Sequence, residues 1–215
     1  MPLILPVPRD ARFRRVTQLY AGLVLYGFSS GLLVLSDLGL DPWDVFHQGI
    51  ARRTNLSIGV CVIAISALVL LLWIPLRQRP GFGTLSNAVA IGLVIDATIA
   101  LLPHPDSMWL RATCLGGGVI LNGTATGLYI GAGMGPGPRD GLMTGLAARG
   151  HSIRVVRTSI EVTVLIAGWA LGGTVGVGTV VYALAIGPIA HVTVPAFTIG
   201  RARPTVPPEG HASLP

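Results

Sequence analysis

Two Pro-x-Asp tripeptides, Pro42-Trp43-Asp44 and Pro138-Arg139-Asp140, stand 96 residues apart in a chain of 215 residues. Each opens a polar-apolar segment. The first continues through His47 and Gln48, so a carboxylate, an imidazole and an amide fall within about two turns of a helix, and the second supplies a guanidinium beside its carboxylate. Such a set binds polar solutes or passes protons. Proline suits a first helical turn, where its missing N–H has no partner in any case, and an Asp two residues on meets the positive end of the helix dipole. Trp43, Phe46 and Ile50 share one face of the first helix, with Asp44, His47 and Gln48 elsewhere; Leu142, Met143 and Leu146 gather on the second. Gly39 precedes the first helix and Gly131, Gly133, Gly135 and Gly137 the second, which allows sharp turns and close approach of a ligand. A helix of about 12 residues is ~18 Å long, too short for a ~30 Å hydrocarbon core. It either dips in and returns as a re-entrant gate or lies in the interface.

Other reactive side chains are few. Asp96 and His191 occupy matching places in two apolar segments, and as a facing pair they would be proton-coupling groups, His being the side chain that titrates near neutrality. Arg157 and Glu161 form an i, i+4 pair, read as a structural ion pair. Asn87, Asn122 and Tyr182 read as interhelical hydrogen bonders. Gly27-Phe28-Ser29-Ser30-Gly31 fits a nucleophile-elbow string but lies inside an apolar span rather than on a strand-to-helix turn, so no catalytic residue and no enzyme activity are expected. Cys61 and Cys114 have no metal-ligand or CxxC spacing, and the glycine run near 131–137 lacks a following GK[ST]. No metal and no cofactor are expected.

The elements that position these groups follow from composition. Half the chain is hydrophobic (51%) and only 11% is charged, against roughly 25% charged in soluble domains. Six apolar runs lie near 17–36, 58–76, 84–103, 110–132, 155–174 and 179–200, so the expected fold is an all-α polytopic membrane protein of six transmembrane helices. All 15 basic residues are Arg, and they are scattered over the connections without interleaved aromatics, which argues against nucleic acid as a partner. Twelve fall on one side of the six-span topology, with Arg52, Arg53 and Arg111 on the other. The positive-inside rule therefore predicts an inner (plasma) membrane protein with both termini cytoplasmic. Residues 1–15 read as a cytoplasmic N-terminal segment and 201–215 as a disordered cytoplasmic tail.

The chain also repeats. A shift of 96 aligns Gly22 with Gly118, Gly27 with Gly123, Gly31 with Gly127, Gly39 with Gly135, Pro42 with Pro138 and Asp44 with Asp140; a shift of 95 then aligns Gly83-Thr84 with Gly178-Thr179. Residues 16–103 and 110–200 thus read as two three-span repeats. Three is odd, so the second enters the membrane from the opposite side, the inverted arrangement of many secondary transporters.

The strings Gly39-Leu-Asp-Pro-Trp-Asp-Val-Phe-His-Gln-Gly49, Gly135-Pro-Gly-Pro-Arg-Asp-Gly-Leu-Met143, Val156-Arg-Thr-Ser-Ile-Glu161 and Gly172-Gly-Thr-Val-Gly-Val-Gly-Thr179 resemble the YczE/YyaS/YitT group of bacterial integral membrane proteins. That resemblance covers about residues 17–200 and implies a plasma-membrane protein without an established activity. Asp41 departs from the Gly-x-Gly-Pro expected of the group's first motif, adding a charge and removing flexibility. The leading expectation is a small-molecule transporter, a proton-coupled exporter, with Pro42, Trp43, Asp44, His47, Gln48, Gly135, Pro138, Arg139 and Asp140 lining or gating its path. The alternative is a non-enzymatic binding or regulatory subunit acting through a partner protein. The lipid bilayer is a partner under either reading; the substrate is unnamed, and homo-oligomer or partner subunit stays open.

Overall fold

Long apolar runs punctuated by Pro, Gly and Ser produce eight helices in a computed structural model that describes residue 8 and residues 10–200. They are α1 (Arg12–Ser36), α2 (Pro42–Thr54), α3 (Ile58–Leu76), α4 (Phe82–Leu101), α5 (Met108–Gly131), α6 (Pro138–Ala147), α7 (Ile153–Ala170) and α8 (Val177–Phe197). No strand occurs among the described residues. The expected tail at 201–215, and residues 1–7 and 9 of the N-terminal segment, lie outside them.

Four helices, α1, α3, α4 and α8, are long and apolar enough to cross a membrane. The other two expected spans correspond to α5, 24 residues long, and α7, 18 residues long. Both are more polar. α5 interleaves Arg111, Asn122 and several Gly and Thr among its apolar residues, and α7 carries Arg154, Arg157 and Glu161. The helices that the Pro-x-Asp segments form are short, 13 residues for α2 and 10 for α6, each with its proline in the first turn.

Packing pairs α1 with α5 and α4, and α5 with α8. The two short helices are exchanged: α2 packs chiefly on α7, whereas α6 packs chiefly on α3. Contacts recur at the positions aligned by the sequence shifts. A Cβ added at Gly27 would meet Val94 Cβ at 2.6 Å, and one at Gly123 would meet Ile189 Cγ2 at 2.4 Å. At Gly31 the neighbour is Thr98, and at Gly127 it is Thr193. Glycine is required at these crossings because helices this close leave no room for a side chain.

The turns before the short helices also match. Gly39 and Gly135 have φ of +117° and +116°, a region that favours glycine. Gly178 N–H donates to Leu38 C=O at 2.7 Å, and Gly83 N–H donates to Met134 C=O at 2.8 Å. Thr84 Oγ1 accepts from Gly81 N–H and donates to Pro136 C=O, tying the turn before α6 to the start of α4. These bonds hold each short helix by its entry turn against the first turn of a long one.

Three apolar clusters fill the interior. One joins α1, α3, α4 and α5 around Leu19, Leu23, Val62, Ile95 and Tyr129; a second joins α1, α5 and α8 around Leu33, Val119 and Tyr182. The third, Trp43, Val69, Trp73, Leu142 and Met143, lies where α2, α3 and α6 meet. Trp73 donates its indole N–H to Pro138 C=O at 3.0 Å, and its ring occupies the space over Gly141.

Candidate functional site

The first turns of α2 and α6 face each other. Two helix N-termini concentrate unpaired N–H groups and positive dipole ends, which favours carboxylates there, and three are present: Asp41, Asp44 and Asp140. Asp41 is the N-cap of α2, its Oδ1 accepting from Trp43 N–H at 3.0 Å and Asp44 N–H at 3.3 Å. The residue that departs from the glycine pattern is thus the cap that starts this helix.

Arg139, in the first turn of α6, reaches across to α2. Its Nη1 lies 3.8 Å from Asp41 Oδ1, its Nη2 lies 3.6 Å from Asp44 Oδ1, and its guanidinium carbon stands 5.2 Å from the Trp43 ring centroid. Trp43 and Arg139 are the central residues of the Pro-x-Asp motifs at 42–44 and 138–140. Where the motifs differ, an aromatic face on one side meets a cation from the other. Asp44 Oδ1 also contacts His47 Nδ1 at 3.1 Å. Asp140 instead accepts from the Tyr129 hydroxyl at 2.6 Å.

This cluster is buried: Asp41 is 4% exposed, Asp44 1% and His47 0%. Gln48 is buried as well and accepts from Thr174 N–H at 2.7 Å. The polar side chains of α2 therefore face protein rather than solvent. Four of the buried polar atoms at the site have no hydrogen-bond partner: Asp41 Oδ2, Trp43 Nε1, Asp44 Oδ2 and His47 Nε2. Buried polar atoms are normally satisfied, so such a concentration marks a place prepared for something else.

Electrostatics separates the two adjacent carboxyls of α2. Burial, then the neighbouring Asp44 charge, push Asp41 well above the usual carboxylate range. Burial also acts to raise Asp44, but the His47 hydrogen bond and the Arg139 charge outweigh it and hold Asp44 well below that range. Desolvation lowers His47, against the pull of Asp44, so its imidazole is neutral at neutral pH. Asp44 thus keeps the charge that balances Arg139, while Asp41 keeps a proton more readily.

The cluster forms one wall of a cavity of about 580 Å³. Asp41, Trp43, Arg139 and Asp140 line it together with Tyr26, Tyr129 and Tyr182, and Ile186, Gly187 and Val194 of α8 form an apolar side. Arg157 and Glu161 of α7 complete the lining, with Arg157 Nε donating to Glu161 Oε1 at 2.9 Å. Beside the cavity Asn122 joins three helices: its Nδ2 donates to Ser29 Oγ at 3.0 Å, and its Oδ1 accepts from the Tyr182 hydroxyl at 2.9 Å.

Of the residues singled out from sequence, Pro42, Trp43, Arg139 and Asp140 meet at the cavity, Asp44 and His47 stand behind it, and Gln48, Gly135 and Pro138 brace the short helices. Asp96 and His191 do not form a facing pair. Asp96 accepts from Ser57 Oγ at 2.5 Å and Gly59 N–H at 2.8 Å, where it caps α3, whereas His191 is exposed on α8. The first turn of α3 captures the carboxylate because its free N–H groups are the nearest strong donors. Cys61 and Cys114 are unpaired thiols. Among the described residues no group of His, Cys, Asp or Glu is placed to hold a metal ion.

Sequence reasoning passed over Tyr26, Tyr129 and Arg15. Tyr26 had a signal: it aligns with Asn122 under the shift of 96, as Asn87 aligns with Tyr182 under the shift of 95, a reciprocal Tyr/Asn exchange. Arg15, 6% exposed, donates to Ala132 C=O at 2.8 Å and pairs with Asp10, fastening α1 to the turn that precedes α6.

Residues 13–195 match the profile of a family of unknown function, DUF6198. The chain is 43% identical over 180 residues to an uncharacterized protein of Haemophilus influenzae, covering 83% of each chain. It is 35% identical over 184 residues to the uncharacterized membrane protein YczE of Bacillus subtilis, covering 84% of this chain and 86% of YczE. The uncharacterized protein YyaS of the same bacterium is 26% identical over 181 residues, 81% of this chain and 89% of YyaS. No solved structure matches. The chain belongs to the DUF6198 family of unknown function and is a membrane protein of the YczE/YyaS kind.

Proposed function

We propose that the protein is a small-molecule transporter of the plasma membrane, built as two inverted three-span repeats, with the central cavity as its substrate chamber. In this reading α5 and α7 complete the six spans. α5 tolerates its polar residues because α1 and α8 flank it, and α7 turns Arg157 and Glu161 toward the cavity. The short helices α2 and α6 enter from opposite sides as re-entrant gates and meet at their N-termini. Burial of Asp44, His47 and Gln48 favours this over an interfacial position, which would wet them.

The observation that carries the proposal is the juxtaposition of Asp41, Trp43 and Arg139 at the cavity wall, with buried polar atoms left open. Irregular backbone and charge at membrane depth persist where they line a substrate or ion path. Protein reconstituted in sealed vesicles tests it: a pH gradient drives uptake or release of solutes from a broad panel, and Arg139→Gln abolishes that flux. Absence of gradient-dependent flux across the panel refutes transport. Topology has a separate test, since single cysteines at the exposed far ends of the short helices, near 55 and 150, label from opposite sides of the membrane if the repeats are inverted.

A further inference from the structure

We infer that the chamber takes an organic cation, a positive group carried on an apolar or aromatic body, and that this cation and a proton compete for Asp41. The inference rests on the transport reading and names its substrate class. Charge is the first argument. The Arg157–Glu161 pair cancels, and once Asp41 has lost its proton Asp41, Asp44 and Asp140 stand against the cation Arg139. The two helix dipole ends offset part of that excess but, at about half a charge each, not all of it. The ionised chamber therefore favours a cation, whereas the empty one, with Asp41 protonated, is close to neutral.

Geometry is the second. Asp41 is nearly fully buried, lines the chamber, and has an oxygen, Oδ2, with no partner. Arg139 approaches no closer than 3.6 Å to either α2 carboxylate, so it balances their charge without a direct hydrogen bond and leaves Oδ2 open. The remaining surface suits the body of such a ligand. Tyr26, Tyr129 and Tyr182 supply aromatic lining, Tyr26 and Tyr129 being packed edge-to-face at 6.0 Å, and α8 supplies the aliphatic side. Trp43 already holds one cation, the Arg139 guanidinium, over its ring.

Competition with a proton follows from the groups around Asp41. Asp44 on its own helix, Asp140 on α6, and the hydroxyls of Tyr26 on α1 and Tyr182 on α8 surround it, with Arg139 opposing; Arg157 and Glu161 of α7 neutralise each other. Burial and Asp44 favour the protonated carboxyl when the chamber is empty. An arriving cation favours the carboxylate, so one proton leaves Asp41 as one cation binds. That is the stoichiometry of an exchanger driven by the proton gradient.

Titration calorimetry of the detergent-purified protein with tetraphenylphosphonium tests this, with tetraphenylborate as the probe of similar shape and opposite charge. Affinity for the phosphonium should strengthen about tenfold per pH unit over the range in which Asp41 is protonated, the slope for one exchanged proton. Buffers of differing ionisation enthalpy should report about one proton released per cation. Asp41→Asn keeps the N-cap, since Asn caps as well as Asp, and should bind at least tenfold more weakly with no pH dependence. Borate binding should be unaffected by the substitution. Equal phosphonium affinity in wild type and Asp41→Asn, or binding without proton release from wild type, overturns the inference. The wild-type proton count decides the matter even if the variant fails to fold. Cation binding without flux in vesicles would sink the transport reading alone; flux of other solutes without cation binding would sink this one alone.

Discussion

Arg139→Gln removes the cation that faces the α2 carboxylates. At an effective dielectric of about 20, charges 3.6 Å apart attract by roughly 5 kcal/mol and charges 3.8 Å apart by roughly 4 kcal/mol. Most of the Asp41 share is absent while that carboxyl holds its proton, and the released guanidinium no longer bears its desolvation cost. Removal of one partner from a buried ion pair typically costs about 3–5 kcal/mol, and the Asp44 pair alone falls in that range. For a chain of this size that is roughly 10 °C in melting temperature. The penalty depends on pH in a definite direction. Without Arg139, Asp44 retains only His47, whose protonation would restore a cation beside the carboxylate. The folded variant therefore binds a proton more readily than the folded wild type does, so its deficit relative to wild type is full at pH 8 and shrinks as pH falls toward 5.5. Thermal unfolding in detergent at the two pH values, for wild type and variant, reads both quantities. A deficit of the same size at pH 5.5 and pH 8 would refute an electrostatic role for Arg139 and leave only its packing over Trp43.

Four further outcomes follow from other parts of the molecule. Asp41 holds its proton in the folded state at pH values where the unfolded chain, with a carboxyl near 3.9, has released it; stability should fall as pH rises through that interval, and Asp41→Asn should flatten the profile. Asn122→Leu breaks the bonds to Ser29 and Tyr182 and should cost about 1 kcal/mol in denaturation from mixed micelles. Gly141→Ala places a methyl 1.9 Å from the Trp73 ring and should cost about 1–3 kcal/mol. A double-mutant cycle with Trp73→Phe should recover part of that loss. Gly39→Ala and Gly135→Ala, at matching left-handed turns with Cβ approaches of 2.7 Å, should destabilise by similar amounts, and strongly unequal effects would count against equivalence of the two halves.

The helices were legible because bilayer-length apolar runs are bounded by strong punctuation. The run at 58–76 coincides with α3, whose N-cap Ser57 and left-handed C-cap Arg77 close it at both ends. The short helices were legible from Pro42 and Pro138, since a proline that starts a helix needs nothing beyond its own ring geometry. The exchange of α2 onto α7 and α6 onto α3 was not legible. It is set by complementary pairs distant in sequence, Trp73 filling the space over Gly141 and Gly168 admitting the backbone of Val45 and Phe46. In each pair a large group on one element needs a missing one on the other, and position along the chain does not reveal which glycine answers which bulk.

The site was legible in its parts and misread in its wiring. Matching positions suggested Asp96 and His191 as partners, but equivalent positions in a repeat need not touch. Asp96 satisfies its oxygens locally on Ser57 and Gly59, and His191 is exposed on α8. Trp43 and Arg139 are also equivalent, and these do touch. Two arginines there would repel and two tryptophans would leave the carboxylates without a counter-ion, whereas one of each gives a cation, a ring face to hold it and a balance for Asp44. The difference between Pro-Trp-Asp and Pro-Arg-Asp is therefore what lets this contact hold charge. In the proposed exchanger the two short helices would be unequal, α6 supplying the cation that balances Asp44 and α2 the carboxyl that gives up its proton to a substrate cation.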